Sequence, residues 1–124
     1  GPPATPSTHR SGCGTSDGPR AQFGAYTMAG FGKGTDTNQD TFVTRASNSG
    51  SKCFVGVFDG HGEKGHVVSN TARDAMSKSL FSHKELNSNP RSALEGAYRD
   101  AQHQIKQDHG PDAAESGTTA VSVY

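Results

Sequence analysis

Apolar residues crowd into one short run, Cys53-Phe54-Val55-Gly56-Val57-Phe58, in which a single glycine interrupts the apolar side chains. A run this short, β-branched and aromatic predicts a strand buried on both faces. It stops at Asp59-Gly60-His61-Gly62. Upstream, Phe23, Ala25, Tyr26 and Met28 predict a first strand over 22–28, and Thr41-Phe42-Val43-Thr44 predicts a second. The polar stretch 46–52, with Ser47, Asn48, Ser49, Gly50 and Ser51, is turn chemistry. The second strand begins at Asp40 and the next ends at Asp59. Paired as antiparallel neighbours, they bring both carboxylates to one edge of a sheet.

After Gly65 the period changes. Val68, Ala72, Ala75 or Met76, and Leu80 fall at helical spacing, with Arg73, Asp74 and Lys78 off that stripe. Asn87-Ser88-Asn89-Pro90 then restarts a helix, a capping residue followed by proline at the first helical position. Leu94, Ala97, Tyr98, Ala101 and Ile105 are its expected inner face, and Gly110-Pro111 its end. The segment Ser116–Tyr124 predicts a strand. A closing strand with no return connection is expected to continue into a larger domain, and a chain opening on Gly1-Pro2 without methionine reads as a piece of a longer one. Residues 1–20, rich in Gly, Pro, Ser and Thr, predict a disordered leader. The glycine-rich stretch 29–37 predicts a loop.

Composition narrows the function classes. The chain has 124 residues, 30% of them apolar, and its 12 basic side chains balance 12 acidic ones. Nothing in that balance points to nucleic acid or an anionic membrane as partner. No apolar run reaches membrane-spanning length. The two cysteines, Cys13 in the polar leader and Cys53 in the strand, are expected to be free thiols in a reducing compartment, hence an intracellular protein, cytoplasmic or nuclear.

Two carboxylates at one sheet edge repel unless they share a proton or a cation. Oxygen ligands suit a hard ion such as Mg²⁺ or Mn²⁺. Gly60 can turn sharply and bring its carbonyl to the same ion. His61, with an ordinary pKa near ~6.5, can donate a proton to a leaving oxygen. The blander reading makes Asp59-Gly60 a hairpin turn, but a helical pattern follows where a return strand would be needed. A rival reading takes Gly60-His61-Gly62-Glu63-Lys64-Gly65 as a G-x-G-x-x-G dinucleotide loop. Against it, Asp59 repels a pyrophosphate, and a second helix stands where a parallel strand is required. His66 reads as structural or exposed, and His9, His83, His103 and His109 as solvated.

The run Phe54-Val55-Gly56-Val57-Phe58-Asp59-Gly60-His61-Gly62 resembles the signature of the metal-dependent PP2C-type (PPM) Ser/Thr protein phosphatases. Asn38-Gln39-Asp40 resembles that family's first acidic motif, and Ser116-Gly117-Thr118-Thr119-Ala120 its Gly-Ser/Thr-Thr-Ala strand. Gly65-His66 and Val68 lean toward the plant and protist branch. The resemblance covers about 23–124, so that 21–124 would be the amino-terminal part of such a domain. It implies an α+β fold: part of a β-sandwich flanked by antiparallel helices, an incomplete α/β/β/α four-layer architecture.

The resemblance also implies roles. Asp59 would bridge two metal ions, the Gly60 carbonyl would bind one, and Asp40 would hold metal-bound waters with Gln39 behind it. A bridging water would attack phosphoserine or phosphothreonine, with His61 as general acid. Phosphoproteins are then the expected substrates, and the missing carboxy-terminal half of the domain or a swapped copy of this chain the expected partner. Gln39 stands where many members carry Glu, and Thr35 where many carry a phosphate-clamping Arg. Lys33 is the candidate substitute, as a point charge in place of a fork. Two later family aspartates have no counterpart here; Asp108, Asp112 and Glu115 do not match their motifs. The alternative function is therefore a non-catalytic phosphatase-like regulatory or binding domain.

Overall fold

A computed structural model describes residues 7–30 and 37–124. The predicted hydrophobic run becomes the central strand β4 (Cys53–His61), and the other elements are placed around it. Its antiparallel neighbour β3 (Asp40–Ala46) pairs from Ala46 with Cys53 through to Asp40 with Asp59. The turn between them closes with Ser47 N–H donating to the Lys52 carbonyl at 2.8 Å. On its other side β4 takes two short antiparallel strands, β5 (Gly117–Thr118) beside Gly60–His61 and β6 (Val121–Val123) beside Val55–Val57. A separate hairpin, β1 (Ser7–Gly14) with β2 (Arg20–Thr27), precedes β3.

Helices α1 (Gly65–Ser82) and α2 (Pro90–His109) pack against each other, and α1 lies on β3 and β4. Strand alternation sends Phe54 and Phe58 to the helices, where both are fully buried with Val68, Ala72, Met76 and Leu80. That α1 stripe is the one the spacing predicts. In α2 the Asn89 side chain accepts from Ser92 N–H at 3.3 Å, the cap expected before Pro90. The fold is mixed α and β with antiparallel sheets, and no parallel strand follows α1, so the dinucleotide reading lacks its sheet.

The structure corrects several expectations. Burial of β4 holds on one face only: Val57 is 60% exposed, and Val121 and Val123 beside it are exposed as well. The helices cover the Phe54–Phe58 face, while the opposite face carries a valine stripe. The α2 inner face runs Ala93, Ala97, Ala101 and Ile105; Tyr98 sits at its edge, its hydroxyl 3.0 Å from Ser122 Oγ. His109 is not solvated, since its Nε2 lies 2.7 Å from Thr71 Oγ1. The half-buried His83 accepts from Glu85 N–H through Nδ1.

Where a disordered leader was expected, residues 7–14 form β1; its polar and glycine residues satisfy their backbone through the β2 ladder rather than through an apolar face. The hairpin carries Cys13 to the start of β4, where it is disulfide-bonded to Cys53, with Cα atoms 5.7 Å apart. Neither cysteine is a free thiol, and the inference of a reducing, intracellular compartment loses its chemical ground. Among the described residues no helix is long and apolar enough to cross a membrane.

Candidate functional site

The end of β4 is built by close backbone contacts. Gly60 N–H donates to the Gln39 carbonyl at 3.2 Å, and Ser69 Oγ donates to that carbonyl at 2.7 Å, so α1, β4 and the entry to β3 meet at one atom. A Cβ on Gly60 would lie 2.5 Å from the Gly65 carbonyl oxygen and 2.6 Å from that of Gln39. Only glycine lets the strand pass beneath the helix start. Gly62 then turns with φ +87°, a left-handed conformation that glycine adopts freely. The Gln39 side chain donates from Nε2 to the Gly62 carbonyl at 2.6 Å, and Ser116 Oγ accepts from Lys64 N–H at 2.9 Å.

This framework pairs Asp40 with Asp59 across the β3–β4 ladder, as the order of the strands predicts. The Asp40 carboxyl is pushed above its ordinary value by partial desolvation at the strand edge, then by a hydrogen bond with Asp59 and repulsion from its charge. Asn38 fixes the approach to Asp40: its Oδ1 accepts from Asp40 N–H at 3.1 Å and its Nδ2 donates to Thr27 Oγ1 at 2.8 Å. Thr119 fixes Asp59, accepting from its N–H through Oγ1 at 3.2 Å and donating its own N–H to the Asp59 carbonyl at 2.9 Å. His61 follows on the same strand face as Asp59, two residues on, and pairs with Gly117.

An open cleft of about 660 Å³ lies on the Asp40 side, lined by Met28, Ala29, Gly30, Thr37, Asn38, Gln39, Asp40, Gly60, Gly62, Glu63 and His66. Asp59 and His61 are not part of its lining. His66 is half-buried, and among the described residues its Nδ1 has no hydrogen-bond partner.

The structure thus brings Gln39, Asp40, Asp59, Gly60 and His61 together at one end of β4. Lys33 lies outside the described residues, as does Thr35. Gln39 is a brace for the glycine turn: its amide is committed to Gly62. Asn38, Ser69, Ser116 and Thr119 are supports whose roles the sequence reading left unassigned. An Asn two residues before an Asp is a recognisable local signal, whereas the long-range serine and threonine contacts have none. A paired, mutually repelling set of carboxylate oxygens fits a hard dication, which would relieve both the repulsion and the raised affinity for protons. Asp40 and Asp59 supply two such ligands, and no group of three or more His, Cys, Asp and Glu side chains placed for a metal occurs among the described residues.

Comparison with known proteins adds the following. No protein-family model matches the chain. It is 33% identical over 88 residues to a protein from Arabidopsis thaliana named Probable protein phosphatase 2C 35, a match covering 69% of this chain and 25% of that one. Among solved structures it resembles the PPM Ser-Thr phosphatase MsPP from Mycobacterium smegmatis in complex with cacodylate. That likeness has a TM-score of 0.51 at 22% identity, covering 96% of this chain and 38% of the other. The chain therefore spans about a quarter of the curated relative's length, and the structural likeness speaks for the fold.

Proposed function

We propose that, over the stretch it spans, this chain belongs to the PP2C-type (PPM) Ser/Thr phosphatases, and that the intact domain hydrolyses phosphoserine and phosphothreonine in proteins with divalent metal ions. The observation that carries the reading is the cross-strand pairing of Asp40 with Asp59 at the end of the signature strand. Asp59, the Gly60 carbonyl and, through water, Asp40 would hold Mg²⁺ or Mn²⁺. Bound there, such ions supply an activated water and neutralise charge on the phosphoryl group. Gln39 acts behind the ligands, holding the Gly62 turn so that Gly60 keeps its position. His61 protonates the departing serine or threonine oxygen. Lys33 is the proposed phosphate contact.

The chain supplies two carboxylates of the set, so activity belongs to the intact domain rather than to these 124 residues alone. Hydrolysis of a phosphothreonine peptide by the full-length protein with Mn²⁺, lost on Asp59→Asn, tests this. No turnover at any Mn²⁺ or Mg²⁺ concentration would instead support a phosphatase-like binding domain, for which the amide at Gln39, where many family members carry a carboxylate, is the favouring observation.

A further inference from the structure

Gly117 is a glycine without a backbone reason. It lies in β5, where glycine weakens a strand, and it is not one of the residues with positive φ. Its reason is the space above it. A Cβ built on Gly117 would sit 2.8 Å from both Cε1 and Nε2 of His61, its cross-strand partner. Neither atom of that contact is backbone. The imidazole edge occupies the volume that any other residue at 117 would fill.

The strand on either side cannot shift to make room. Ser116 is tied to Lys64 N–H, and Thr119 is bonded to Asp59 through both its hydroxyl and its N–H. A larger residue at 117 therefore moves the imidazole, which rotates on exposed single bonds, and leaves the sheet in place. Gly60 behaves oppositely, because the atoms that a Cβ would meet there are backbone carbonyl groups.

From this we infer that Gly117 is a positioning residue for His61: the absent side chain sets where the imidazole rests beside Asp59, and so where it presents its proton. The inference rests on the reading of His61 as general acid. An acid matters most when the leaving oxygen is a poor leaving group and least when it departs readily. Filling the space at 117 therefore impairs alkyl and phenyl phosphates, or a phosphoserine peptide, selectively over an activated nitrophenyl ester.

The test uses the full-length protein with Mn²⁺ and three forms: wild type, Gly117→Ala and His61→Gln. The expected result is a roughly ten- to hundredfold loss of kcat in Gly117→Ala on poor leaving groups, with the nitrophenyl ester within a few-fold of wild type. In the metal-free protein the His61 Cε1–H resonance, assigned by its loss in His61→Gln, should move in Gly117→Ala while the melting temperature barely changes. If His61→Gln shows the selective loss and Gly117→Ala reproduces wild type in both its leaving-group dependence of kcat and the His61 resonance, the positioning role is overturned. If His61→Gln loses all substrates equally, the acid assignment fails and the inference falls with it. The two failures are told apart by which variant departs from expectation.

Discussion

Asp40 bears the cost of the arrangement it helps to build. Its raised pKa means that the folded chain binds this proton more tightly than the unfolded chain does. Between the ordinary value of 3.8 and the raised one, the native state holds the extra proton, so this contribution to stability is full at low pH and is lost as pH rises through that window. Asp40→Asn should therefore make the metal-free protein more resistant to urea at pH 7, by a small margin because the side chain is exposed, and the gap should close below pH ~3.8. A gap that widens on acidification would contradict this. Gly60 makes the second prediction at this scale. Backbone meets backbone there, so Gly60→Ala should cost about 2–3 kcal/mol in chemical denaturation. A loss below about 0.5 kcal/mol would show that the strand end has room.

At the level of elements, β4 and the two helices were legible because their signals are local. Helical spacing marks Val68, Ala72, Met76 and Leu80, and Asn89-Pro90 marks the start of α2. Asn89→Ala should accordingly lower stability by about 1 kcal/mol, with thermal melts as the check. The Asp40–Asp59 pairing could also be read in advance, since a short turn between two strands fixes their register. What escaped was long-range. Strand β1 has almost no apolar periodicity: it is held to β2, which the apolar pattern over 22–28 did mark, by a backbone ladder, and to β4 by a covalent link, neither of which composition reveals. The same holds at the site, where Ser116 and Thr119 reach Lys64 and Asp59 across 52 and 60 residues of sequence. Val57 was misplaced because a continuous apolar run carries no alternation to say which face is covered.

At the scale of the whole molecule, the Cys13–Cys53 link closes a loop with a sequence separation of 40 and ties the hairpin to the central strand. Removing it with Cys13→Ser should cost about 3–4 kcal/mol if chain entropy dominates; unchanged denaturation midpoints would mean that the hairpin docks without it. The same hairpin leads directly into Met28–Gly30 of the cleft wall, and its Thr27 accepts from Asn38 Nδ2 on that wall, so the fold joins its tether to its candidate site. Both meet in one claim, that the strand end is shaped to hold a dication at Asp40 and Asp59. Mn²⁺ titrated into the isotope-labelled chain tests it most directly, because paramagnetic broadening reports even weak, transient occupancy. The amides of residue 40 and of 59–61 should broaden first, and Asp59→Asn should abolish that pattern while leaving the rest of the spectrum intact. Broadening centred elsewhere, or unaltered by Asp59→Asn, would contradict the assignment.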